Sequence, residues 1–130
     1  MIQSLSRELM WFILVGCAAA GTHWLSVVVL VSTTSIAPLY ANVAGWLIAF
    51  SVSFGGHYLL TFRHQNAPMA RAALRFLAVS ALGFAVNETI YAWLLHTTTV
   101  RYDILLAGVL IGIAFMTFLL GRFWAFSGKP

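Results

Sequence analysis

Residues 103–126 read DILLAGVLIGIAFMTFLLGRFWAF, with no charged side chain between Asp103 and Arg122. A hydrocarbon core about 30 Å thick takes roughly 20 helical residues to cross, and a helix satisfies every backbone N–H and C=O within one segment. The run therefore predicts a transmembrane helix. Working outward from it, further apolar runs lie at about 9–31, 38–62 and 73–96, separated by short polar connections. With 62% hydrophobic and 8% charged residues and a mean hydropathy of +0.93, the chain cannot cover a water-soluble surface. The expectation is an all-α membrane protein of four transmembrane helices, residues 1–130 forming a single membrane domain with no soluble part.

Charge sets the orientation. Arg7, Arg63, Arg71, Arg75, Arg122 and Lys129 fall on one side of the four spans and only Arg101 on the other, which predicts that both termini are cytoplasmic. Trp11, Tyr40, Tyr58, Phe62, Tyr102, Trp124 and Phe126 cluster near span ends, as interfacial anchors do. A net charge of +4 and a pI near 9.9 do not indicate nucleic acid, because the cations form no patch interleaved with aromatics. Beside membrane spans they attract anionic lipid headgroups instead. The single cysteine, Cys17, excludes an intramolecular disulfide. A competing reading of Leu14-Val15-Gly16-Cys17 is a lipoprotein signal, but the apolar run continues to Val31, beyond the roughly 7–15 residues of a signal's apolar region.

The chain also matches itself. A shift of 64 residues superimposes Arg7 on Arg71, Phe12 on Phe76, Val15 on Val79, Thr33-Thr34 on Thr97-Thr98, Phe54 on Phe118 and Phe62 on Phe126. This predicts two repeated helical hairpins, at about 7–63 and 71–127, parallel and related by an axis along the membrane normal. Small residues recur at helical spacing: Ala41, Gly45, Ala49 and Ser53; Gly108 and Gly112; Gly16 and Ala20. Such faces let helices approach closely in lipid, where apolar side chains gain little by leaving the hydrocarbon.

Two polar layers stand out. Glu88, about 14 residues or ~21 Å of helix rise from the cytoplasmic boundary, is the only acid expected inside a span. Its burial costs roughly 2.5–3.5 kcal/mol on insertion scales, so it is expected to face the bundle interior, either in a functional role or as a structural partner of another helix, for instance through His23. Asn87 adjoins it, His23 and Trp24 share its depth through the 64-residue shift, and Tyr91 lies one turn beyond. For Trp24 and Tyr91 packing competes with a binding role. The second layer, near the cytoplasmic surface, comprises His57, Tyr58, Arg122, Arg75 and Arg7, and suits an anionic phosphate because arginine offers a fixed fork of donors. For Arg122 the alternative is snorkelling to the interface. No paired carboxylate, nucleophile motif or metal-ligand spacing points to an enzyme, and none of the residues calls for a cofactor or metal.

The hairpins resemble the GtrA-like family of small four-span proteins over nearly the whole chain. Phe12-Ile13-Leu14-Val15-Gly16 and Arg75-Phe76-Leu77-Ala78-Val79 open the first and third spans. Phe118-Leu119-Leu120-Gly121-Arg122-Phe123-Trp124-Ala125-Phe126 closes the fourth, and Phe54-Gly55-Gly56-His57-Tyr58-Leu59-Leu60-Thr61-Phe62 closes the second as a degenerate copy. Arg122, Trp124, Phe126 and Asn87 fit the family pattern, whereas Gly121, His57, Tyr58 and His23 depart from it. The resemblance implies a flippase that moves a polyprenyl-phosphate-linked sugar from the cytoplasmic to the outer leaflet for cell-surface polysaccharide or lipid glycosylation. Arg122, Arg75, His57, Tyr58 and Arg7 would then meet the phosphate, and Glu88, Asn87, His23, Trp24 and Tyr91 the sugar path. Membrane lipids, a glycosyltransferase and further copies of the chain are the expected partners. Two other classes stay open: a small proton-coupled multidrug-type exporter using Glu88, and a scaffold that anchors a glycosyltransferase.

Overall fold

A computed structural model describes residues 2–125 and 127–128; Phe126 and Lys129, used above, lie outside the described residues. Among the described residues there are four long helices and no strand. They are α1 (Ile2–Thr33), α2 (Pro38–Gly56), α3 (Met69–Thr97) and α4 (Tyr102–Leu120). All four are long and apolar enough to span a membrane. Pro38 begins α2 at a first-turn position, where its missing N–H costs nothing. Asn66 makes the turn before α3 with φ 53°, a left-handed conformation that asparagine tolerates.

The helices end in a distinctive way. α2 runs into a π-helical turn, His57–Thr61, and α4 into another, Gly121–Ala125. In the first, the Phe62 N–H reaches back to the His57 carbonyl at 2.8 Å, five residues earlier. The boundaries recur at the offset found in the sequence: α1 and α3 end at Thr33 and Thr97, α2 and α4 begin at Pro38 and Tyr102, and the π turns begin at His57 and Gly121. Each difference is 64 residues.

Packing is tightest within hairpins. α1 lies against α2 and α3 against α4, while the α2–α3 and α4–α1 seams are thinner. A Cβ on Gly45 would stand 2.9 Å from His23 Cδ2, and one on Gly56 2.5 Å from Val15 Cγ1, so these glycines set the α1–α2 approach. The Ala41, Gly45 and Ala49 face is buried as expected; Gly108 and Gly112 are exposed, with no atom within 4 Å of where a Cβ would be. Among the described residues the α4 pair therefore makes no close helix contact, which leaves a neighbour outside this chain as the open alternative for that face.

The bundle is apolar outside and polar within. Ile13, Leu25, Leu47, Leu74, Ile111 and Phe115 point outward, while His23, Asn42, His57, Thr61 and Asn87 are buried. Hydroxyls on the outer faces, such as those of Thr22, Thr33, Thr89 and Thr97, donate to the carbonyl four residues earlier, which is how a hydroxyl is satisfied in lipid. Two apolar clusters close the ends. One gathers Phe62, Ala72, Phe76, Val79 and Ala125 at the arginine-rich end; the other gathers Val27, Ala41, Tyr91 and Leu106 toward the short loops.

Candidate functional site

Between the two clusters lies a cleft of about 130 Å³ lined by all four helices. Its aromatic walls are Phe12, Trp46, Phe50, Phe76 and Phe84, and its polar atoms come from His23, Ser53, His57, Ser80, Asn87 and Thr117. Every lining residue except His57 has a lining counterpart 64 residues away: Phe12 with Phe76, Gly16 with Ser80, Ala20 with Phe84, His23 with Asn87, Trp46 with Leu110, Phe50 with Ala114, Ser53 with Thr117, and likewise Ala19 with Gly83 and Ala49 with Ile113. Equivalent faces of the two hairpins therefore meet at the cleft.

The side chains break this equivalence. Across the α2–α3 seam the Trp46 ring stacks on Phe84 at 4.7 Å, its indole N–H donates to Ser80 Oγ at 2.7 Å, and Phe50 stacks on Phe76 at 5.9 Å. At the corresponding positions of the α4–α1 seam stand Leu110, Ala20, Gly16 and Ala114. One side of the cleft is filled with stacked aromatic rings; on the other, small residues stand at three of these positions, beside Leu110 and Phe12.

At the loop-side end of the cleft a hydrogen-bond hub joins three helices. Asn42 on α2 donates from Nδ2 to Asn87 Oδ1 at 2.8 Å and to Glu88 Oε1 at 3.2 Å, both on α3. Its Oδ1 is then the acceptor for His23 on α1, 2.7 Å away, so His23 donates from Nε2. Asn87 donates to no group among the described residues, and its side chain borders the cleft, which leaves its amide N–H groups available to a ligand. Glu88 is half-buried on the α2–α3 seam and does not line the cleft; Asn42 connects it to the interior.

At the other end His57 packs face to face with Phe12 at 5.3 Å, edge-on to Phe76 at 5.7 Å, and its Nδ1 lies 2.9 Å from Thr61 Oγ1. Just outside, Arg122 forms an ion pair with Glu8, a buried acid in the first turns of α1. The expectation that Glu88 is the only acid in the helical spans is corrected: Asp103 lies in the first turn of α4, α1 begins well before residue 9, and Glu8 turns into the bundle because Arg122 compensates it. Arg75 donates to the Trp124 carbonyl at 3.3 Å, Arg71 to the Gly128 carbonyl at 3.0 Å, and Tyr58 OH to the Ala67 carbonyl at 2.9 Å. Exposed Arg7 lies 3.5 Å from His64 Nε2.

Of the ten residues singled out from the sequence, His23, His57 and Asn87 line the cleft and Glu88 adjoins it through Asn42. Trp24 and Tyr91 instead reach the first turn of α4, donating to the carbonyls of Asp103 at 3.0 Å and Tyr102 at 2.9 Å. Arg7, Tyr58, Arg75 and Arg122 gather at the basic end without forming one convergent site. Asn42 and Glu8 were missed. The signal for Asn42 was present, an amide inside an apolar span beside the Ala41-Gly45 face. Among the described residues no group of three or more histidine, cysteine or acidic side chains is placed to hold a metal.

Neither a curated protein nor a solved structure matches the chain. A family does. The profile described as GtrA/DPMS, transmembrane domain, matches residues 11–126, which takes in α1 from Trp11 onward, the other three helices and the whole cleft. With four spanning helices and that match over most of its length, the chain belongs to the GtrA/DPMS transmembrane-domain family, multi-pass membrane proteins linked to sugar-lipid translocation.

Proposed function

We propose that this protein is a flippase that carries the headgroup of a polyprenyl-phosphate-linked sugar from the cytoplasmic to the outer leaflet, for glycosylation of cell-surface polysaccharide or lipid. The observation that carries the reading is the cleft: a mostly apolar, aromatic-lined space between all four helices, set with polar groups from each of them, in a bundle whose outer faces are apolar. Sugar hydroxyls entering hydrocarbon unpaired cost roughly 2–7 kcal/mol each, which a path of polar partners removes. His57, Ser53, Ser80, Thr117 and Asn87 supply such partners along the cleft, and Trp46 and the phenylalanines supply flat apolar faces for a sugar ring. The polyprenyl tail stays in lipid. At about 130 Å³ the cleft is smaller than the roughly 300–1,000 Å³ that enclose drug-sized ligands, so this conformation corresponds to a closed state.

In this reading the basic end faces the cytoplasm of a bacterial inner membrane, where Arg7, Arg75 and Arg122 meet the phosphate. The hairpins are parallel copies related by an axis through the cleft, a relation supported by the 64-residue recurrence of helix ends and lining residues. Gly108 and Gly112 give α4 a smooth outer face for a second copy, and a glycosyltransferase partner would supply or use the sugar lipid.

The test uses purified protein in vesicles carrying a polyprenyl-phosphate-linked hexose, with an impermeant periodate reagent reporting headgroups in the outer leaflet. Flippase activity predicts that the inner pool becomes reactive much faster than in protein-free vesicles. Equal rates overturn the reading and leave the scaffold role. Proton-driven movement of a lipophilic cation, with no movement of the sugar lipid, would place the protein among exporters.

A further inference from the structure

The α4–α1 seam combines three features that the proposed path does not yet use. Gly16, Ala20 and Ala114 stand in its wall, with Leu110 as the large side chain, where the α2–α3 seam has a hydrogen bond and stacked rings. A Cβ on Gly16 would have nothing within 4 Å, so the wall is thin at that point. Finally, the seam is fastened near its two ends. Toward the loops the Trp24 indole donates to the Asp103 carbonyl; at the basic end Glu8 pairs with Arg122, and Phe12 meets Phe118 with ring centroids 4.5 Å apart.

These contacts at the basic end are in register. Glu8 and Phe12 are one turn apart on α1, and Phe118 and Arg122 one turn apart at the end of α4, so the ion pair sits one turn outside the ring contact. Phe12 in turn lines the cleft. The pair thus stands across the direct approach from the basic end to the cleft, and the anion it offers Arg122 is the Glu8 carboxylate. A phosphate ester presents the same chemistry to a guanidinium, with more acceptor oxygens.

We propose that the α4–α1 seam is the lateral entrance through which the lipid reaches the cleft, and that Glu8 holds it shut by occupying Arg122 until the substrate's phosphate takes its place. Displacing Glu8 releases the first turns of α1 from the π turn that carries Arg122, and separation then spreads to Phe12 and Phe118. The tail of a lipid bound this way leaves between α1 and α4, past Gly16 and Ala20, where a Cβ on Gly16 would meet no atom within 4 Å. Glu8 is a positioning residue here: it touches Arg122 and never the substrate. The inference rests on the flippase reading.

The experiment measures undecaprenyl phosphate binding to the full chain in phosphatidylcholine nanodiscs, with undecaprenol as the phosphate-free control. Glu8→Gln removes the competing carboxylate, so affinity should rise about tenfold or more, the factor expected if the latch is shut about nine-tenths of the time or longer. Glu8→Asp keeps the charge that supports folding but draws it back by one methylene, and should bind more tightly than the unmutated chain by a smaller factor. A purely structural contact predicts the opposite sign, since loosening it would weaken binding. Gly16→Leu plugs the entrance and should abolish binding while the protein remains monodisperse and helical. Unchanged or weaker binding by folded Glu8→Gln and Glu8→Asp overturns the latch, and full binding by Gly16→Leu overturns the entrance. Arg122→Gln separates the two levels: if it binds normally, the phosphate reading itself fails, whereas if it loses binding while the Glu8 variants show no gain, only the latch does.

Discussion

Replacing Asn42 should do more damage than replacing any other single polar residue around the cleft, because three helices depend on its one amide. Asn42 is fully buried, and the substitution Asn42→Leu keeps its bulk while removing its contacts with His23 at 2.7 Å, Asn87 at 2.8 Å and Glu88 at 3.2 Å. Interhelical hydrogen bonds in bilayers average about 0.6 kcal/mol each, so the three together are worth about 2 kcal/mol. The buried His23 N–H and Asn87 carbonyl would then lack partners, at about 1–3 kcal/mol for a group left unsatisfied. These two figures overlap, and the expected loss is about 2–4 kcal/mol. Asn42→Asp should be worse than Leu, since it keeps the acceptor for His23 but turns an oxygen toward the Asn87 and Glu88 oxygens. The assay is unfolding of purified protein by SDS titration or steric trapping, read by loss of helix. If Asn42→Leu lies within about 0.5 kcal/mol of the unmutated protein, the range of an inconsequential substitution, the hub does not hold the hairpins together. Equal stability of Asn42→Asp would refute the donor assignment.

Two further predictions use the same assay. Gly56→Ala should cost about 1–2 kcal/mol, because a Cβ 2.5 Å from the stiff, branched Val15 overpacks the α1–α2 contact by more than alanine's helix propensity returns; outward-facing Gly112→Ala should be neutral or stabilising, and equal effects at the two sites would show that the approach at Gly56 is not tight. Tyr91→Phe should lose about 0.5–1.5 kcal/mol of stability with unchanged lipid movement, since its hydroxyl is used on the Tyr102 carbonyl; a fall in transport at preserved stability would put Tyr91 on the path.

The fold was legible because its cause is composition over a length: DILLAGVLIGIAFMTFLLGRFWAF has no other stable state in a membrane than a spanning helix. The site was legible in part. His23, His57 and Asn87 were recognisable as polar residues at span depth, which in lipid must turn inward. Their partners were not, since hydrogen bonding between helices depends on rotation about each helix axis, and the pattern of polar residues leaves that free. Thus His23 was paired in expectation with Glu88, whereas Asn42 lies between them. Glu8 escaped for another reason: an acid just before an apolar run reads as solvated, and only the return of α4 brings Arg122 beside it. The same ambiguity left open what Gly108 and Gly112 face, and in the structure they turn outward.

The asymmetry between the two seams has a physical consequence for how such a bundle can move. Two equivalent hairpins meeting at an axis have two equivalent seams, and nothing in the backbone favours parting one over the other. Here the side chains decide. The α2–α3 seam carries Trp46 on Phe84 and Ser80, Phe50 on Phe76, and the Asn42 bonds to Asn87 and Glu88, and the residues linking α2 to α3 fold back on it through Tyr58 and Ala67. Opening that side would break several contacts at once, including hydrogen bonds that lipid cannot replace. Between α1 and α4 the middle of the seam has Gly16, Ala20 and Ala114 and little to lose, while the fastening is concentrated near the ends at Glu8–Arg122 and Trp24–Asp103. In the proposed opening the α2–α3 seam is the hinge line and the α4–α1 seam the mouth. A ligand then needs to contribute enough differential binding to offset one ion pair, one ring contact and the Trp24 hydrogen bond, a smaller demand than breaking the stacked rings and the Asn42 bonds of the other seam.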